Sequence, residues 1–257
     1  MSVEDLPGSA SEPGGSAVVR VLSYNIRSMR DDTAALARII RACAPDLVLI
    51  QEAPRFFRWR KAAARLAHAT DLVYVTGGAT TAGPMILSSL RPHVERTEDV
   101  LLPHTPGLHQ RGFATAVFRI GGARLAAVST HLSLDPAERR DQAGLLLDRV
   151  AAMGEPHVIA GGDINEPPDR PGFSRLSATL QDAWATKPWG GEITNMRPPY
   201  QRIDALFATP SVEILGCGVP HSLPGVTTAD LRAATDHLPV LAAIRVPATQ
   251  PAAAAQP

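Results

Sequence analysis

The sequence predicts an α/β fold in which layers of β-sheet are covered by helices. Short apolar runs of strand length alternate with segments whose apolar residues recur at helical spacing. No break in composition divides residues 18–246, and a chain of 257 residues that is 45% hydrophobic can bury one large core. We therefore expect one domain at 18–246. The Gly-, Ser- and Pro-rich start (1–17) and the Ala- and Pro-rich end (247–257) are expected to be disordered.

The first half of the domain predicts two strand–helix units. Residues 18–25 form the first strand, and a helix follows from about Asp32 until Pro45 ends it. The almost wholly apolar run 46–51 predicts a second strand that is covered on both faces. Residues 55–69 predict the second helix. Short strands are then expected near 71–76, 84–89, 93–101, 113–120 and 123–130.

The second half predicts one long helix and the remaining strands. Asp135 and Pro136 favour a helix start, because aspartate caps a helix and proline suits its first turn, and Glu138 can close a capping box. Gly154 ends this helix. Strands near 157–160, 202–208, 211–219 and 238–245 complete the domain.

The composition disfavours several classes of protein. Lys plus Arg equals Asp plus Glu at 25 each, whereas nucleic-acid-binding proteins usually have a basic excess, although a local basic patch can suffice. Two cysteines do not suggest a disulfide framework. The N-terminus lacks the features of a secretory signal, and no apolar run approaches the ~18 residues of a membrane helix. A soluble, cytoplasmic monomer is expected.

Two apolar runs end in a side chain that suits a metal site. Asn25 closes the first predicted strand, and Glu52 follows the second. A strand presents its last side chain at the edge of a sheet, where a hard cation and a phosphate can be held. Glu52 is a candidate carboxylate ligand of Mg²⁺, and the neutral amide oxygen of Asn25 can help without adding negative charge. The ordinary alternatives are a solvated strand end for Glu52 and a turn cap for Asn25.

A third apolar run ends in Gly161-Gly162-Asp163-Ile164-Asn165. A spacing of two places Asp163 and Asn165 on the same side of an extended segment, and the glycines permit a close approach of the backbone. The aspartate can orient or deprotonate a nucleophilic water, and the amide can bind a phosphoryl oxygen. The alternative is a simple turn, because Gly, Asp and Asn all favour turns.

Four further residues suggest acid–base chemistry. His131 ends a predicted strand, where it is either structural or a donor to a phosphoryl oxygen. Asp204 lies inside a predicted strand, where aspartate is disfavoured, which suggests a fixed partner such as a histidine. Asp236-His237 would supply that histidine and another carboxylate.

The segment 55–68 predicts an amphipathic helix. Phe56, Trp59, Ala63 and Leu66 lie along one face, and the opposite face is basic. Either this is a covering helix with a solvated cationic face, or it is a patch for nucleic acid or an anionic membrane surface.

Taken together, the motifs resemble the endonuclease/exonuclease/phosphatase superfamily, which has the fold of deoxyribonuclease I. Six motifs occur in family order along nearly the whole predicted domain. They are Asn25 in the first strand, Gln51-Glu52, Thr130-His131-Leu132, Gly162-Asp163-Ile164-Asn165, Arg202-Ile203-Asp204 and Asp236-His237-Leu238-Pro239-Val240.

The resemblance implies a four-layer α/β/β/α sandwich, with two mixed sheets face to face, helices outside and the site at one edge. It also implies hydrolysis of a phosphoester with Mg²⁺ or Mn²⁺. The residues implied to lie at the metal are Asn25, Glu52 and Asp236. Asp236 would alternatively orient His237.

The resemblance also implies the catalytic residues. Asp163 would position or deprotonate the attacking water, and His131 would stabilise the transition state. Asp204 would orient His237, which would act as a general acid–base group. Asn165 would bind the phosphate. An arginine two residues after Asn25, here Arg27, is similar to the deoxyribonuclease I branch of the family. In that branch this position can contact a phosphate. Arg111 either approaches the site or lies in a surface loop.

These observations predict a divalent-metal-dependent phosphoester hydrolase, foremost a phosphodiesterase with nuclease-type chemistry. The substrate is a phosphoester, with nucleic acid among the candidates. One alternative is a lipid-headgroup or phosphoinositide phosphohydrolase of the same fold. Another is a non-catalytic binding module, which would be expected to have lost Glu52, Asp163 or His237; the sequence retains all three.

Overall fold

Two mixed β-sheets form the centre of the molecule. The computed structural model describes residues 1–249. Its strands are β1 (Ala10–Ser11), β2 (Ala17–Asn25), β3 (Leu47–Gln51), β4 (Val73–Gly77), β5 (Met85–Ser88), β6 (His93–Leu101), β7 (Gly112–Ile120), β8 (Ala123–His131), β9 (Val158–Asp163), β10 (Gln181–Asp182), β11 (Asp204–Ala208), β12 (Glu213–Gly218) and β13 (Val240–Val246). Its α-helices are α1 (Thr33–Cys43), α2 (Trp59–Ala69), α3 (Pro136–Ala152), α4 (Pro171–Ser177), α5 (Ala183–Thr186) and α6 (Thr228–Ala234).

Each sheet combines one parallel pair with antiparallel neighbours. The first sheet has the order β12-β13-β2-β3-β5-β4, with β1 beside β2, and the second has the order β10-β11-β9-β8-β7-β6. The pairs β2–β3 and β8–β9 are parallel. Parallel neighbours need a crossover between them, and α1 and α3 are the crossover helices. Both parallel pairs end at the same region of the molecule, which positions the site described below.

Alternating residues along each strand separate the core into three apolar clusters. Leu47 and Leu49 of β3 face the second sheet, whereas Val48 and Ile50 face the helices. The cluster on the outer face of the first sheet includes residues of α1, α2 and α6, and the cluster on the second sheet includes residues of α3 and α4. The predicted four-layer sandwich is therefore confirmed.

Residues 1–17 were predicted to be disordered, but in the structure they pack against the domain. Val3 and Leu6 are buried in the cluster beneath α1, and β1 pairs with β2. The cause is Arg20, which lies inside the molecule and donates hydrogen bonds to the carbonyl oxygens of Val3, Leu6 and Pro7. The sequence gives no local sign of this anchor, because the cation lies beyond the segment that it holds.

Other boundaries differ modestly from the expected ones. α2 begins at Trp59 rather than near residue 55, and α4, α5 and α6 were not predicted. All three are seven residues or shorter, too short for a helical period to stand out. Of the predicted tail 247–257, residues 250–257 lie outside the described part, and Ala248 bridges to Ala123. Within residues 1–249, no helix has the length and apolar character needed to cross a membrane.

Candidate active site

Four polar side chains lie on the strand faces that point into the space between the two sheets, because side chains alternate between the two faces of a strand. Asn25, His131, Asp163 and Asp204 have the same parity as the apolar residues of β2, β8, β9 and β11 that pack between the sheets. In the second sheet, Asp163 is the register partner of both His131 and Asp204. The apolar layer therefore ends in a polar layer at one edge of the sandwich.

Two glycines allow β9 to sit between its neighbours. A Cβ atom on Gly162, which has φ +153°, would lie 1.9 Å from the carbonyl oxygen of Thr130. One on Gly161 would lie 2.7 Å from the carbonyl oxygen of Ala205. Only glycine tolerates contacts this close to backbone atoms. The pair therefore sets the position of Asp163.

Asp163 is the centre of the polar layer. Its Oδ2 atom accepts a hydrogen bond from Nδ2 of Asn25 at 3.0 Å and lies 3.5 Å from Nε2 of His131 and 3.7 Å from Nε2 of His237. Its Oδ1 atom accepts the backbone N–H of Asn165. Burial, reinforced by the negative charge of Asp204, raises the pKa of Asp163 to about 7.

The two histidines differ in protonation. Burial opposes a charge on His237, but the carboxylates of Asp204 and Asp163 outweigh it and raise the pKa of His237 to about 10. Nδ1 of His237 lies 2.8 Å from Oδ2 of Asp204, which fixes the ring. Burial and the charge of Arg111 hold the pKa of His131 well below its ordinary value. At neutral pH the site thus contains one imidazolium and one neutral imidazole.

Glu52 lies beside this cluster with capacity to bind a cation. Nδ2 of Asn25 lies between the carboxylates, 3.3 Å from Oε1 of Glu52 and 3.0 Å from Asp163. No other hydrogen bond to the Glu52 carboxylate occurs within residues 1–249. Carboxylate oxygens such as those of Glu52 fit Mg²⁺ or Mn²⁺, and Oδ1 of Asn25, which accepts the backbone N–H of Arg27 at 3.0 Å, keeps one lone pair for a cation.

A second grouping has ligand atoms within 4.8 Å of one another, namely Asp163, Asp204 and His237. Nδ1 of its histidine already pairs with Oδ2 of Asp204 at 2.8 Å, and the two carboxylates raise the pKa of this imidazole, so the grouping favours a proton on His237 over a metal ion. Oδ1 of Asp204 is buried without a hydrogen-bond partner in the described part of the chain, while its Oδ2 pairs with Nδ1 of His237. The Glu52 side is therefore the better candidate for the cation.

The lining of the cavity above these residues includes the cationic side chain of Arg111, for which the sequence left two locations open. The cavity has a volume of about 290 Å³ and includes Glu52, His131, Asp163, Asn165, His237 and Arg111 in its lining. Arg111 is 8% exposed, and its guanidinium has no hydrogen-bond acceptor or acidic partner in residues 1–249. Burial lowers the pKa of Arg111. Of the two alternatives that the sequence left open, the structure places Arg111 at the site rather than in an exposed surface loop, and only the burial of its side chain distinguishes it from a loop arginine.

Asn165 lines the same cavity in a left-handed backbone conformation, with φ 61°. Its Nδ2 donates to the carbonyl oxygen of Leu132 at 2.8 Å, which fixes the side chain. An amide nitrogen has two hydrogens, so one remains available for a phosphoryl oxygen.

Arg27 and Asp236 lie in an adjacent depression of about 590 Å³ rather than in this cavity. Oδ2 of Asp236 is 3.2 Å from Arg197 and 3.7 Å from Arg27, and Arg27 also contacts Asp31. The carboxylate of Asp236 thus faces two arginines, and the lining of the cavity that includes Glu52 does not include it. Tyr200 also borders this depression.

Comparisons with known proteins agree on one family. The model of the Endonuclease/Exonuclease/phosphatase family matches residues 22–237. A search of curated proteins gave no match.

Several solved structures have the same fold. An endonuclease/exonuclease/phosphatase from Bacteroides vulgatus superposes with a TM-score of 0.74 at 20% identity, over 89% of this chain and 99% of that one. The mannosyl-6-phosphatase Bt3783 of Bacteroides thetaiotaomicron gives 0.72 at 18% identity, over 88% and 99%. Truncated TDP2 of Caenorhabditis elegans gives 0.68 at 21% identity, over 88% and 97%. At these identities the likeness establishes the fold.

Proposed function

Since the chain belongs to the endonuclease/exonuclease/phosphatase family, we propose that it is a divalent-metal-dependent phosphodiesterase. Its catalytic residues are Asp163, His237, Asp204, His131 and Asn165. The family supports phosphoester hydrolysis in general, and the geometry of the cavity supports the roles of the individual residues.

The observation that carries the proposal is the isolated guanidinium of Arg111. A buried cation that no acidic group contacts is costly. Asp163 and Glu52 reduce this cost through space, and an anion bound in the cavity would add the direct contact that residues 1–249 do not provide. The same cavity contains an acid–base cluster. An anion held beside acid–base groups is what hydrolysis of a phosphoester requires.

The shifted pKa values suggest how the proton is moved. A carboxylate whose pKa is raised to about 7, as for Asp163, suits a base that orients or deprotonates the attacking water at neutral pH. The water oxygen forms a bond to phosphorus, the ester P–O bond breaks, and the leaving oxygen needs a proton. His237, protonated beside Asp204, can donate it. Neutral His131 and the amide of Asn165 then donate hydrogen bonds to the phosphoryl oxygens.

Glu52 and Asn25 would hold Mg²⁺ or Mn²⁺, which supplies charge stabilisation to the phosphoryl group when bound. The role of Asp236 as a further ligand stays a prediction, because its carboxylate contacts Arg27 and Arg197. Arg27 would bind substrate from the adjacent depression.

The cytoplasmic location and the monomeric state of the protein also stay predictions.

The test is a panel of phosphodiesters and phosphomonoesters, including a sugar phosphate because one structural neighbour is named a mannosyl-6-phosphatase. Rates are measured with Mg²⁺, with Mn²⁺ and with EDTA. Asp163→Asn and His237→Ala are each expected to lower kcat/KM by roughly 10²-fold or more. Asp148→Asn and His93→Ala are the matched controls, because they make the same substitutions at exposed residues.

Near-wild-type turnover in either site variant would remove the role assigned to that residue. Full activity in EDTA would remove the metal dependence. Monoester hydrolysis without diester hydrolysis would turn the assignment from phosphodiesterase to phosphatase.

A further inference from the structure

An exposed aromatic and cationic segment lies next to the catalytic cavity. In the connection from β3 to α2, Phe56 is 80% exposed and Phe57 is 88% exposed. Residues 53–70 contain no acidic residue but five cations, Arg55, Arg58, Arg60, Lys61 and Arg65, in a chain of zero net charge. We call residues 54–65 the aromatic–cationic segment. Two adjacent phenylalanines in water, surrounded by positive charge, mark an interaction surface.

An apolar groove continues from this segment. It lies beside α1 and α2, has a volume of about 640 Å³, and is lined mainly by apolar side chains, among them Met29, Ala37, Pro54, Ala62 and Leu66. Ser28 lines both the groove and the catalytic cavity. Pro54 borders the groove, and the next residue, Arg55, borders the cavity. The segment, the groove and the cavity therefore form one continuous surface.

We propose that the aromatic–cationic segment docks on an anionic phospholipid bilayer. The phenylalanine rings enter the boundary between headgroups and acyl chains, the arginines and Lys61 meet the lipid phosphates, and the groove accepts an acyl chain. In this orientation the catalytic cavity opens close to the headgroup layer. The inference concerns binding and goes beyond the proposed hydrolysis, so each can be tested without the other.

The surface fits a membrane better than single-stranded nucleic acid. A nucleic-acid platform needs open ring faces along a polar, cationic groove. Here the guanidinium of Arg55 lies 5.8 Å from the ring centre of Phe56, and that of Arg58 lies 5.0 Å from the ring centre of Phe57, so one face of each ring is already in use. The adjoining groove is mainly apolar, with Ser28, Thr33 and Arg65 as its polar lining residues, so it offers few hydrogen-bond partners for bases.

The experiment is co-sedimentation of the full chain with vesicles of phosphatidylcholine, with or without phosphatidylglycerol. Wild type is expected to bind the anionic vesicles and to lose binding in high salt. Phe56→Ser/Phe57→Ser and Arg60→Glu/Lys61→Glu are each expected to weaken binding by roughly ten-fold or more. Hydrolysis of a small soluble diester and thermal unfolding should stay at wild-type levels in both variants.

Matched controls lie elsewhere on the surface. Leu90 is 86% exposed in the turn after β5, and Arg140 and Lys187 are exposed on other elements. Leu90→Ser and Arg140→Glu/Lys187→Glu are expected to bind vesicles as wild type does. Absence of wild-type binding, or equal losses in the controls, would overturn the proposal. Binding of a single-stranded oligonucleotide that depends on the two phenylalanines, without vesicle binding, would assign the surface to nucleic acid instead.

Discussion

At the scale of single residues, Asp204 shows how one buried carboxylate sets the charge of its neighbour. It is 1% exposed and gives one oxygen to Nδ1 of His237 at 2.8 Å. Burial alone would lower the pKa of His237, and the carboxylates of Asp204 and Asp163 reverse that direction. The protonation of the proposed acid therefore depends on a residue that does not line the cavity.

Asp204→Asn is expected to shift the alkaline limb of the kcat/KM pH profile to lower pH. Removing the charge lowers the pKa of His237, and the imidazolium is the form that donates a proton. The same pairing stabilises the fold below the ordinary histidine pKa, and this contribution is lost as the pH rises through about 10. The variant should therefore lose stability mainly at neutral and lower pH. An unchanged alkaline limb would show that His237 is not the titrating acid.

Arg111→Met tests the anion site separately from the acid–base groups. The variant is expected to lower kcat/KM by roughly 10²-fold, because a buried donor to the phosphoryl group is lost. Its unfolding temperature should stay the same or rise, because the wild-type guanidinium is buried and makes no hydrogen bond or ion pair with any residue of 1–249. Inorganic phosphate should stabilise the wild type but not the variant in a thermal shift assay. A destabilised Arg111→Met protein with normal phosphate response would mark the arginine as structural.

At the scale of elements, β9 depends on a backbone that only glycine can adopt at its end. Gly162 has φ +153°, and an added Cβ would lie 1.9 Å from the carbonyl oxygen of Thr130 on β8. The parallel pairing of β8 and β9 continues to the register pair His131 and Asp163. A change of spacing here would therefore move a proposed catalytic carboxylate relative to its histidine.

Gly162→Ala is expected to destabilise the protein by about 3 kcal/mol, through strain and loss of strand pairing. Activity should fall as well, because Asp163 is the next residue. Urea denaturation measures the first effect and diester hydrolysis the second. Gly8→Ala is the control, since its Cβ would meet no atom of the described residues within 4 Å. Equal stability of the two variants would contradict the close approach of β8 and β9.

At the scale of the whole molecule, Arg20 joins the N-terminal segment to the domain. Its guanidinium donates to the carbonyl oxygens of Val3 at 2.9 Å, Leu6 at 2.6 Å and Pro7 at 3.0 Å. Val3 and Leu6 in turn fill part of the cluster beneath α1. The segment thus covers apolar surface that would otherwise face water.

Arg20→Met is expected to release this segment, because three carbonyl groups lose their donor. Amide hydrogen exchange of residues 2–11 should rise strongly, and the free energy of unfolding should fall by about 2 kcal/mol. Arg41→Met removes a comparable side chain whose bond to the carbonyl oxygen of Ala69 is exposed, and it should change neither quantity much. Unchanged exchange in Arg20→Met would mean that burial of Val3 and Leu6 suffices.

The sequence alone determined the alternation of strands and helices and the polar residues at the strand ends, because both follow from local periodicity. It could not place Arg111, Arg20 or Asp236, nor the short helices, because their environments depend on distant parts of the chain. Asn25 and Asp163 are separated by 138 residues and yet share a hydrogen bond. Only strand order and register decide such contacts, and those result from packing two sheets around one core.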